Sequence, residues 1–191
     1  HLPPNDFLKL QLDTLFDDVR IDTAKIGMLG TAAIARAVAD GLAARVGPAK
    51  LRHLVVDPVM IAKSGDALLD RSAIDVLVEA ILPLATVITP NLPETGVLLD
   101  RRPPDDVREM RAAAEKLRRL LGDDGRRWVM VKGGHLGGDP IDLLHDGDQM
   151  IELPGQRIST QNTHGTGCTL SAAIAALLPQ RDDPVTALRE A

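Results

Sequence analysis

The stretch Leu54-Val55-Val56-Asp57-Pro58 decides how this chain folds. Three apolar residues run together without alternation, then a carboxylate, then a proline. Continuous Leu/Val content suits a parallel strand covered on both faces, and proline ends it. The device recurs. Thr86-Val87-Ile88-Thr89-Pro90-Asn91 is a β-branched strand closed by proline and polar residues, and Trp128-Val129-Met130-Val131-Lys132 runs into Gly133-Gly134-His135. Asp22 to Ile26, closed by Gly27, is a shorter candidate strand.

Helical patterns fill the intervals. Leu8, Leu12, Leu15, Phe16 and Val19 share one face of a helix over residues 4–19, with Asn5 as its expected cap. Thr31 caps a second helix with the stripe Ile34, Val38 and Leu42, ended at Gly47-Pro48. Ile74, Leu77, Val78 and Ile81 mark a third. Pro93 and Glu94 suit a first helical turn. Val107, Met110, Ala114, Leu117 and Leu121 mark a longer helix, stopped by Gly122. Residues 141–145 and 149–153 flank Asp146-Gly147-Asp148, a hairpin signal. Strand and helix in alternation predict an α/β fold, a mostly parallel sheet wrapped by helices. No repeat or linker interrupts it, so residues 1–191 read as one domain. In such sheets ligands bind beyond the carboxyl ends of the strands.

Composition narrows the function. The net charge of −5 argues against a general nucleic-acid binder. Aromatic residues make up 2%, with no Tyr, so stacking platforms are scarce. No apolar run reaches the roughly 20 residues of a membrane span. One cysteine excludes an internal disulfide and suits a reducing, cytoplasmic setting.

Chemistry concentrates at Asn162-Thr163-His164-Gly165-Thr166-Gly167-Cys168, which runs straight into the alanine-rich helical segment 169–178. The first N–H groups of a helix lack intrahelical partners and face the positive end of its dipole. Gly165 and Gly167 let an anion approach that backbone. Cys168 sits where a thiolate is favoured. Asp57, Asn91, Glu94 and Lys132 each follow an apolar strand and belong on the same rim. Carboxylates and an amide there suit Mg²⁺ held through water, and the lysine suits phosphate. These parts suffice for phosphoryl transfer, where positioning and charge stabilisation supply most of the catalysis. Taken singly, each residue has a structural explanation. The glycines can cap a helix over a small buried cysteine, Asp57 can cap a loop, Asn91 and Glu94 can form a capping box, and Lys132 can be solvated. His53 and His145 lack metal-ligand spacing, and His135 and His164 read as loop hydrogen-bonders. There is no classical P-loop. Ser171 lies inside the helix, with no hydrolase elbow around it.

Five linked blocks then resemble one family: Lys25-Ile26-Gly27-Met28-Leu29; Asp57-Pro58-Val59-Met60 with Lys63-Ser64-Gly65; Thr89-Pro90-Asn91-Leu92-Pro93-Glu94; Val131-Lys132-Gly133-Gly134-His135; and Asn162 to Cys168. The family is the hydroxymethylpyrimidine/phosphomethylpyrimidine kinases of thiamine biosynthesis. The resemblance implies a ribokinase-like three-layer α/β/α fold. It also implies ATP- and Mg²⁺-dependent phosphorylation of 4-amino-5-hydroxymethyl-2-methylpyrimidine and then of its monophosphate, by a cytoplasmic homodimer. Carried over by position, Gly165, Thr166 and Gly167 form the anion hole and Cys168 accepts the hydroxymethyl proton. Asn91 and Glu94 support Mg²⁺ and phosphate, Lys132 and Thr163 face the nucleotide phosphates, and Asp57 lies near the metal–phosphate region. Met28 and Val59 line the pyrimidine pocket. The cysteine disfavours sugar kinases, which resemble an aspartate version of the turn. Some pyridoxal kinases resemble the cysteine version, so pyridoxal is the rival substrate. A third reading is a non-catalytic nucleotide-binding module. Family members carry a first strand and a Ser-Gly-Gly-Ala-Gly-type loop before the region that begins here at His1, so the resemblance implies a partial domain.

Overall fold

The structure is a computed structural model, which describes residues 2–47, 50–61, 68–123, 126–160 and 164–191. Six strands lie side by side in chain order: β1 (Thr23–Ile26), β2 (His53–Val56), β3 (Val87–Ile88), β4 (Trp128–Val131), β5 (Ile141–His145) and β6 (Met150–Pro154). The first four pair in parallel. The last two form the expected antiparallel hairpin on β4, with Val131 opposite Leu143 and His145 opposite Met150. The helices are α1 (Asn5–Asp18), α2 (Ala32–Ala43), α3 (Arg71–Val76), α4 (Leu92–Leu98), α5 (Val107–Arg118), α6 (Thr166–Leu177) and α7 (Pro184–Glu190).

Side chains of each strand alternate between two cores. Leu54, Val56, Ile88, Val129, Val131 and Leu143 join the core under α2 to α5. Val55, Val87, Trp128, Met130 and Leu144 face the other way, onto α6 and α7. Leu54, Val55 and Val56 are all fully buried, so the unbroken apolar run reflects a strand covered on both faces. Three layers result, helices on a sheet on helices.

Several helix boundaries depart from expectation. Pro4, not Asn5, is the N-cap of α1, with no side-chain capping bond. Of the predicted face, Leu8 and Phe16 pack against the core while Leu15 and Val19 stay exposed. Thr31 caps α2 as predicted, accepting from the Ile34 N–H at 3.3 Å. The third helix is α-helical only to Val76. It widens into a π turn over Leu77–Ile81 and tightens to a 3-10 turn over Leu82–Leu84. Pro83 has no N–H to continue the ladder, and the Leu82 N–H reaches back to the Leu77 carbonyl. The α-helical part of α5 ends at Arg118, ahead of Gly122. The following turn tightens to Leu120 N–H to Leu117 O at 3.0 Å and Leu121 N–H to Arg118 O at 3.2 Å.

Candidate active site

The carboxyl ends of β1 to β4 point to one rim, and the N-terminus of α6 is tied to it through Ser171 and Asp57. The predicted residues fall here because each follows a strand directly. Asp57 succeeds β2, and its N–H donates to Ile26 O of β1 at 2.9 Å. Lys132 succeeds β4, and its N–H donates to Pro90 O at 2.8 Å, which lays it beside Asn91 as one further parallel bridge.

Asp57 is the hub. It is 1% exposed. Its Oδ1 accepts from Lys132 Nζ at 3.0 Å and from the Thr89 hydroxyl at 3.2 Å. Its Oδ2 accepts from the Ser171 hydroxyl at 3.2 Å and lies 3.9 Å from Lys25 Nζ. Four groups from β1, the β3 end, the β4 end and α6 thus meet on one buried carboxylate. A buried charge persists only when it is paired and hydrogen-bonded, and Asp57 is both. Ser171, Thr89 and Lys25 were not singled out for the site by sequence reasoning. The available signal was their position: Lys25 and Thr89 stand at strand ends, and Ser171 lies three residues past Cys168, on the same helical face as the turn.

Asn91 and Glu94 form a reciprocal capping box on α4. The Glu94 N–H donates to Asn91 Oδ1 and the Asn91 N–H to Glu94 Oε2, both at 2.8 Å. This is the structural role foreseen for the pair, and it holds the Glu94 carboxylate beside Lys132 and Asp57. Burial pushes the Glu94 carboxyl up to about 7, against the Asn91 N–H, the Lys132 charge and the Met60 N–H, which pull it down. Among the described residues no group of three or more His, Cys, Asp or Glu side chains could cage a metal. One amide oxygen and one carboxylate, both engaged in capping, fit a Mg²⁺ that keeps its water and is held chiefly by phosphate oxygens.

Gly165 is the N-cap of α6 with φ of 78°, a left-handed conformation that a Cβ would strain. The first helical bond on its carbonyl comes from the Thr169 N–H at 2.9 Å. The amides of Gly167 and Cys168 precede that bond, so they have no intrahelical partner. A Cβ placed on Gly167 would come 2.9 Å from Lys132 Nζ. The ammonium therefore lies against the opening turn of the helix, and cation and helix dipole act on the same point. Cys168 is exposed, not the small buried cysteine of the capping explanation. Met28 is 57% exposed and Val59 half-buried, each just beyond the adjacent ends of β1 and β2. Asn162, Thr163 and Lys63-Ser64-Gly65 lie outside the described residues. His145 is structural, its Nδ1 2.8 Å from Gln149 O, while His135 and His164 are exposed.

Comparison with known proteins identifies the family and the fold. The family model described as Phosphomethylpyrimidine kinase matches residues 1–191. A hydroxymethylpyrimidine/phosphomethylpyrimidine kinase of Rhizobium meliloti is 47% identical over 172 residues, 90% of this chain and 61% of that protein. The chain thus spans less than two thirds of that relative's length. A pyridoxal kinase of Bacillus subtilis, solved as an ADP complex, superimposes with a TM-score of 0.85 at 33% identity, covering 98% of this chain and 67% of that one. A phosphomethylpyrimidine kinase of Clostridium difficile does so with 0.81 at 30% identity, covering 98% and 73%. The fold is the ribokinase-like α/β/α arrangement of these kinases, and the chain belongs to the phosphomethylpyrimidine kinase family.

Proposed function

We propose that this chain transfers the terminal phosphoryl group of ATP to 4-amino-5-hydroxymethyl-2-methylpyrimidine, and then to the resulting monophosphate. The observation that carries the reading is the Lys132 ammonium, anchored on Asp57 at 3.0 Å and lying against Gly167 at the start of α6. A fixed cation beside the Gly167 and Cys168 amides, which lack intrahelical partners, suits a phosphoryl group in transfer. Gly165, Thr166 and Gly167 cradle that group. Lys132 faces the nucleotide phosphates, with Thr163 assigned the same task on sequence resemblance alone. Asn91 and Glu94 hold Mg²⁺ through water, and the ion when bound offsets phosphate charge. Asp57 keeps Lys132 in place. Cys168, exposed at the third position of α6, accepts the hydroxymethyl proton, and Met28 and Val59 border the pyrimidine. Residues 1–191 form part of one kinase domain, which we assign to a homodimer in the cytoplasm. Among the described residues no helix is long and apolar enough to cross a membrane.

Pyridoxal is the second reading, favoured by the close superposition on the Bacillus subtilis pyridoxal kinase. Coupled measurement of ADP release with hydroxymethylpyrimidine, its monophosphate and pyridoxal decides between them. Turnover of both pyrimidines, with pyridoxal at least about tenfold poorer in kcat/KM, is expected. Preference for pyridoxal would reverse the assignment. Binding of Mg-ATP without turnover of any acceptor would leave a nucleotide-binding module.

A further inference from the structure

The two lysines on Asp57 are not equivalent. Lys132 donates a hydrogen bond to Oδ1 at 3.0 Å, whereas the Lys25 ammonium lies 3.9 Å from Oδ2, beyond hydrogen-bond distance. The Lys25 side chain is only 22% exposed, and its ammonium has no hydrogen bond among the described residues. An ammonium carries three donors, and no described protein group accepts from this one, although it is largely withdrawn from solvent. The lysines also meet different oxygens of the carboxylate and different stretches of backbone. Lys132 lies against Gly167 of α6. Lys25 lies against Gly27, where an added Cβ would be 2.8 Å from Nζ, one residue before the proposed pyrimidine contact Met28. Two ammonium groups share the Asp57 carboxylate, and Lys132 also has Glu94 beside it, so Lys25 is the less committed of the two cations.

We propose that Lys25 binds the phosphate of the phosphorylated acceptor, and so admits the second of the two substrates. The inference rests on the kinase reading above. In the first transfer the hydroxymethyl oxygen bonds to the γ-phosphorus, the bond from that phosphorus to the β,γ-bridging oxygen of ATP breaks, and the hydroxyl proton leaves to a base. In the second, an ionised phosphate oxygen of the acceptor forms the new bond and ADP again departs. No hydroxyl proton has to be removed. The difficulty is instead the approach of two anions, whose repulsion is large in a partly desolvated site. A cation on the acceptor side offsets it. The geometry supplies one in Lys25, held near the site by Asp57 without being hydrogen-bonded to it.

The test is Lys25→Met, read as the ratio of kcat/KM for the monophosphate to kcat/KM for the unphosphorylated alcohol. The ratio is expected to fall at least about tenfold, the scale of one charge-assisted hydrogen bond, and to recover in part with Lys25→Arg. Because both acceptors are measured on the same sample, loss of folded protein cancels. Calorimetric binding of the two acceptors gives a readout independent of turnover. Selective weakening of the monophosphate supports the proposal, and an equal change for both overturns it. A wild-type chain that binds neither acceptor overturns the kinase reading itself, and this inference with it.

Discussion

Asp57 and Cys168 make opposite demands on the chain. Asp57 is buried and hydrogen-bonded on both oxygens, so its removal is mainly a structural event. Lys132 is 14% exposed at its side chain and would lose the carboxylate to which it is hydrogen-bonded. Breaking a buried pair from one side costs about 3–5 kcal/mol. Asp57→Ala is therefore expected to lower the unfolding free energy by roughly that amount in urea titration, and to weaken Mg-ATP binding through the displaced lysine. An unchanged urea midpoint would show that the pair is not a hub. Cys168 is exposed, and its carbonyl, which accepts from the Ser171 hydroxyl at 3.0 Å, is unaffected by a change of side chain. Cys168→Ala should leave stability and Mg-ATP affinity within about twofold, while kcat for the alcohol acceptor drops by about 10²–10⁴, the contribution of a general base. Turnover within about twofold of wild type would remove Cys168 from the chemistry.

At the level of elements, the glycines after β4 and at the start of α6 separate packing from catalysis. A Cβ on Gly133 would sit 2.0 Å from the backbone oxygen of Ile141, and backbone cannot step aside. Gly133→Ala should destabilise the β4–β5 pairing by more than about 2 kcal/mol. On Gly167 the obstacle is the far end of Lys132, which can move. Gly167→Ala should fold with a urea midpoint close to wild type, since alanine favours the helix by about 1 kcal/mol. It should lose at least about tenfold in kcat because the ammonium is displaced. If both variants are equally stable and equally active, the distances carry no meaning. These elements also show what could be read in advance. Strands β2 to β4 declared themselves by unbroken apolar runs because both faces are covered, and the rim residues Asp57, Asn91 and Lys132 followed from the strand ends. The α4 capping box was visible as Asn91 with Glu94 three residues on. What stayed hidden was tertiary. The π turn over Leu77–Ile81 resembles ordinary helix in periodicity. Ser171 looks like a polar interruption in an apolar helix until β2 is brought against it.

Across the whole molecule, the two cores share one sheet, so they should melt as a unit. Trp128, the single tryptophan, is fully buried in the core beneath α6 and α7. Its fluorescence and the far-UV circular dichroism should therefore give coincident urea transitions. Glu94 makes that common transition depend on pH. Its carboxyl stands at about 7 in the folded protein against an ordinary 4.5. Below pH 4.5 it is protonated in both states and costs nothing. Between 4.5 and about 7 the folded protein keeps a proton that the unfolded chain has released, so stability falls as pH rises. Above 7 both states are ionised and the full cost, about 3 kcal/mol, is present. His53 works in the opposite direction below pH 6.5, because burial chiefly, with Arg52, lowers its folded value. The wild-type profile alone is therefore a mixture. Glu94→Gln isolates the carboxyl, because glutamine can keep the capping box and does not titrate. The difference in unfolding free energy between wild type and Glu94→Gln should shift by about 3 kcal/mol between pH 4 and pH 8, wild type losing ground at the alkaline end. A flat difference would mean that the Glu94 carboxyl titrates alike in the folded and the unfolded chain, and at neutral pH the rim would then carry a full extra negative charge beside the proposed phosphate site.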